Sequence, residues 1–79
     1  FPNPFNASTT ISFFLPEYNF VSIKIYNIYG QLMTILVEDY FAQGSHYLTL
    51  NTTNFSSGKY FVKMESNNYK KSQIITLVK

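Results

Sequence analysis

The side chains able to do acid–base chemistry in this chain are one histidine, His46, and four carboxylates, Glu17, Glu38, Asp39 and Glu65. A hydrolase or transferase needs such groups to converge on one point. His46 alternates in phase with Leu48 and Leu50, which puts it on a half-buried strand face rather than beside a substrate. Glu38-Asp39 lies in a polar connection over residues 38–44 and suggests calcium only by its charge, because too few oxygen ligands surround it. Cysteine is absent, which excludes disulfides and thiolate metal sites. No phosphate-cradling glycine loop, zinc spacing or nucleophile elbow is present. These residues predict no enzyme, no metal and no cofactor.

Most of the remaining chain alternates with a period of two, and the elements must be built from that. In residues 20–26, Val21, Ile23 and Ile25 oppose Ser22, Lys24 and Tyr26, the pattern of a strand with one buried face. Asn27 to Gly30 supplies turn chemistry, and a second apolar run begins at Leu32. Its period is blurred over residues 31–37, as expected of a bulged strand or one covered on both faces. Residues 9–15 form an earlier strand with Ile11, Phe13 and Leu15 on one side, stopped by Pro16. Residues 45–51, 59–65 and 69–79 complete the set, the last being a closing strand that is basic at its start and apolar in Ile74, Ile75, Leu77 and Val78. The prolines of residues 1–6 favour an extended lead-in whose aromatics pack against the domain edge. Six or seven short strands without a helix predict an all-β fold, a small antiparallel immunoglobulin-like β-sandwich. The Cys–Trp–Cys pin of antibody domains is missing.

Seventy-nine residues suffice for one domain over 1–79, with stability on the order of 4–12 kcal/mol. A net charge of +2 is too weak to imply nucleic acid, although Lys59, Lys63, Lys70, Lys71 and Lys79 crowd the last third. Such lysines solvate a strand face and blunt its edge, or else form a basic patch for an acidic partner. No stretch is long and apolar enough for an integral membrane segment, and no signal peptide opens the chain. Its abrupt start at Phe1 reads as a domain cut from a longer protein.

Five stretches, in order, resemble the type A C-terminal sorting domain of the type IX secretion system of Bacteroidota. Pro2-Asn3-Pro4-Phe5-Asn6 with Ser8-Thr9-Thr10-Ile11 is similar to the motif YPNPFNPSTTI that opens such domains. Ile25-Tyr26-Asn27-Ile28-Tyr29-Gly30-Gln31 resembles "lYdllGr", and residues 44–51 resemble "aGxhxixld". Ser57-Gly58-Lys59-Tyr60-Phe61 resembles "sGiYf", and residues 72–79 resemble the short apolar strand and final lysine of the family. Asn27 and Asn51 stand where aspartate is common, Gln31 where arginine is, and Lys59 where an apolar residue is. The related immunoglobulin-like module of flagellar hook-capping proteins shares the architecture.

The resemblance implies a non-catalytic signal at the end of a secreted passenger. It implies recognition by the outer-membrane translocation machinery, removal by a sortase-like cysteine peptidase, and a destination at the cell surface or outside the cell. Within the matching motifs Pro2, Asn3, Pro4, Phe5, Tyr26, Gly30, Gly44, Gly58 and Tyr60 are expected to serve structure, with glycines at turns and Tyr60 entering the sandwich with its hydroxyl at the rim. The closing strand is the expected recognition element, through Lys70, Lys71, Ile74, Ile75, Leu77, Val78 and Lys79, because a terminal strand can pair with a partner's sheet edge. The alternative is a structural or glycan-binding accessory module of a secreted enzyme. It would use exposed Tyr29, Tyr40, Phe41, Phe61 and Tyr69 as a stacking platform.

Overall fold

The computed structural model describes residues 8–67 and 69–79. The proline-rich opening, including Pro2, Asn3, Pro4 and Phe5, lies outside them, as does Asn68 of the last turn. Among the described residues there are six strands and no helix: β1 (Ser8–Leu15), β2 (Asn19–Tyr26), β3 (Leu32–Phe41), β4 (Gly44–Asn51), β5 (Gly58–Ser66) and β6 (Tyr69–Leu77).

All pairings are antiparallel, in a two-stranded sheet β1-β4 and a four-stranded sheet β3-β2-β5-β6. This order corresponds to strands B and E facing C′, C, F and G of an immunoglobulin sandwich. The physical cause is the alternation. Val21, Ile23 and Ile25 of β2 and Tyr60, Val62 and Met64 of β5 are buried against Ile11 and Leu15 of β1 and Leu50 of β4. Phe13, Leu36, Val37, Phe41, Leu48, Ile75 and Leu77 pack around that centre half-buried. Neither sheet can bury its apolar face alone, so each becomes the other's cover.

The blurred period of the third strand has a definite cause. Ile23 pairs with Val37 but Lys24 with Ile35, and Ile25 pairs with Thr34 but Tyr26 with Leu32. Leu36 and Met33 are therefore each one residue in excess of the partner strand, two β-bulges that reset which side chains face inward. β3 also runs on to Phe41, so Glu38-Asp39 belongs to a strand and not to the connection that its polarity suggested. The Ser22 hydroxyl donates to Glu38 Oε2 at 3.2 Å, and Lys24 Nζ stands 4.0 Å from the same oxygen. The cross-strand partners of β2 hold that carboxylate in line. At the other end of the chain the strand stops at Leu77, leaving Val78 and Lys79 beyond it.

Candidate functional site

All three glycines, expected at turns, take backbone angles that other residues avoid. Gly30 (φ 80°) closes the β2–β3 hairpin and Gly58 (φ 146°) starts β5. A Cβ added at either would meet no atom within 4 Å, so the requirement is for the dihedral and not for space. Gly44 opens β4 with the same sign of φ. In the hairpin, Asn27 acts as the organiser. Its side-chain oxygen accepts from the amides of Tyr29 (2.9 Å) and Gln31 (3.0 Å), while its amide nitrogen donates to Gln31 Oε1 at 2.8 Å. Tyr26 lies just before this turn, with Lys63 Nζ 4.7 Å from its ring centroid.

Tyr60 occupies the corner between β4 and β5. Its ring is buried, 5.0 Å from Phe55, and its hydroxyl donates to the Ser56 carbonyl at 2.8 Å. A tyrosine early in strand F bonded back to the chain a few residues upstream is the tyrosine corner of immunoglobulin-like folds. The loop it anchors, residues 52–57, is otherwise tied by Phe55 N–H to Thr52 O (3.0 Å) and by Asn51 Oδ1, which accepts from the Thr53 amide and hydroxyl.

β6 is the outermost strand of the larger sheet, with no neighbour on its far side among the described residues. It pairs with β5 residue for residue, from Ser66 with Tyr69 to Gly58 with Leu77, without a bulge. The opposite edge, β3, carries two. β1 and β4 have open sides as well, but they alternate between covered and exposed residues, whereas residues 69–74 of β6 are exposed on both faces. Only Ile75 and Leu77 turn into the core margin. Such an edge offers main-chain donors and acceptors in regular register, together with side chains on either face.

The residues singled out for recognition do not form one patch. Lys70 pairs with Glu65 at 3.5 Å on the outer face, whereas Lys71, opposite Met64, lines the groove between β6 and β1. Ile74 is exposed beside Phe61, and Val78 is 89% exposed. Lys79 turns back over the corner: its backbone amide donates to Ser57 Oγ at 3.0 Å, and its Nζ donates to the carbonyls of Thr52, Phe55 and, at 3.3 Å, Thr53. Sequence reasoning placed Lys79 on an open strand and missed this contact. Its partners lie more than twenty residues away, with no local signal to reveal them.

The acid–base groups are dispersed. His46 is half-buried on β4, its Nε2 2.7 Å from Ala42 O and its ring packed between Phe13 and Phe41. Among the described residues no three His, Cys, Asp or Glu side chains could hold a metal ion together. Nor do the five aromatics expected to form a platform come together in one. Phe41 packs edge-on to Phe13 with centroids 5.2 Å apart, and Phe61 is half-buried, so two of the five expected faces are not presented. Tyr40 is stacked on Tyr18, and Tyr29 stands at the opposite end of β3 from it.

Together these features define a small immunoglobulin-like module whose larger sheet, among the described residues, ends in an exposed edge strand. A model of the family described as secretion system C-terminal sorting domain matches residues 1–78, and the chain belongs to that family. It is thus a sorting domain of type IX secretion, a signal for export across the outer membrane toward the cell surface or the extracellular space. No curated protein and no solved structure matches the chain.

Proposed function

We propose that residues 1–79 act as one sorting domain, read as a folded unit by the outer-membrane translocation machinery through the exposed edge of β6. The observation that carries this reading is the contrast between edges. β3 is interrupted by bulges, as strands are where pairing is to be discouraged, while β6 is regular over nine residues and exposed. A partner strand added there would gain main-chain bonds for affinity, with Lys70, Ser72 and Ile74 on one face and Lys71 and Gln73 on the other for specificity. The domain is the substrate of the sortase-like cysteine peptidase that removes it from its N-terminal passenger, and it performs no chemistry itself.

Removing residues 77–79 from a secreted fusion tests this. Leu77 is half-buried at the rim, so the shortened domain should still fold by circular dichroism and limited proteolysis, while export falls to background. Unchanged export by a folded, shortened domain would contradict the assignment of recognition to β6.

A further inference from the structure

The corner loop 52–57 contains more than a turn. Its carbonyls at Thr52, Thr53 and Phe55 converge on the Lys79 ammonium, and the adjacent Ser57 hydroxyl takes the Lys79 amide. Thr52 is 2% exposed and Phe55 is part of the core, so their carbonyls meet the ammonium at a part-buried margin, where leaving Phe55 O without a donor is costly, while the Thr53 contact lies on the exposed side. The loop's own donors are already committed: Phe55 N–H to Thr52 O, and the Thr53 amide and hydroxyl to Asn51. Tyr60 holds the loop from inside through Ser56 O. Thr52 O therefore accepts from both Phe55 N–H and the Lys79 ammonium, while Thr53 O and Phe55 O accept from Lys79.

We infer that this loop is a receptor for a primary ammonium, and that Lys79 is a positioning residue whose side chain latches the end of β6 onto the β4–β5 corner. An ammonium has three N–H donors arranged as a tripod, which matches three carbonyls on one side of a nitrogen. A guanidinium presents a planar fork and cannot meet the same three oxygens. The latch fixes the two residues beyond the strand and thereby keeps β6 from fraying at Leu77, next to Gly58 in the pairing. Building on the reading of β6 as the recognised edge, the positive charge of Lys79 is then used within the domain. The machinery reads the strand that the charge holds in place.

The test compares Lys79→Arg, Lys79→Met and Lys79→Ala in the 79-residue chain and in an exported fusion. Amide exchange at Phe55 and Leu77 should rise roughly tenfold in all three variants, with Ile23 and Val62 unchanged. Adding n-propylammonium should restore protection to Lys79→Ala, whereas tetramethylammonium, which has no N–H, should not. Export should fall in Lys79→Arg and Lys79→Met alike. Wild-type protection in Lys79→Arg, or equal rescue by tetramethylammonium, would overturn the receptor. Normal export of Lys79→Arg with lost protection would overturn the link to β6 presentation. Failure of the wild-type fusion to be exported would instead count against the proposed function, leaving the exchange data to decide the latch.

Discussion

At the scale of single residues, the domain relies on polar contacts that complete a turn or a corner. Asn27 and Gln31 pair side chain to side chain, amide to amide, at the two positions where the family commonly has aspartate and arginine. Tyr60 is the stricter case, because its hydroxyl reaches a specific carbonyl from within the core. Tyr60→Phe keeps the ring against Phe55 and removes only that donor, so a loss of about 1 kcal/mol is expected in a urea titration. A loss well beyond that would mean the ring packing depends on the hydroxyl as well. The glycines and Tyr60 were legible in the sequence because each sits in a local motif. The Lys79 contact was not, since it depends on tertiary closure.

At the scale of elements, strict alternation made β1, β2, β4 and β5 readable almost to the residue. β3 was not, because two bulges shift its phase and its last residues are polar on the solvent side, which imitates a loop. Glu38 among them meets Ser22 and Lys24 across the sheet, a relation that appears only once β2 and β3 are paired. β6 reads as a strand from its composition, but its value lies in its outer side, which has no neighbour among the described residues. A single proline placed in turn at residues 71–75 separates its two sides. Positions whose N–H faces β5 should lose about 1 kcal/mol or more of stability, alternating with positions that lose little. Export should fall at both kinds of position if the outer edge is what a partner pairs with. Export retained at the stability-silent positions would show that the outward main chain is not used.

At the scale of the whole molecule, the fold gathers part of its positive charge around one groove and leaves the rest apart. Of the five late lysines, Lys63, Lys70 and Lys71 join Lys24 around one groove beside Tyr26 and Ser72, offset there by Glu65, while Lys79 turns to the corner loop. Exposed ion pairs such as Lys70–Glu65 contribute little to stability, and a modest net charge gives little long-range steering. What distinguishes the larger sheet, among the described residues, is a bulge-free edge strand exposed over residues 69–74, and that is a property suited to a module that is recognised. The most direct measurement fuses residues 1–79, after a linker, to the C-terminus of a fluorescent passenger bearing a signal peptide, in a bacterium with a type IX system. A role as export signal predicts passenger outside the cell, lost when the transporter is disabled. Passenger held in the periplasm with the domain folded, while a known sorting domain is exported from the same host, would contradict it.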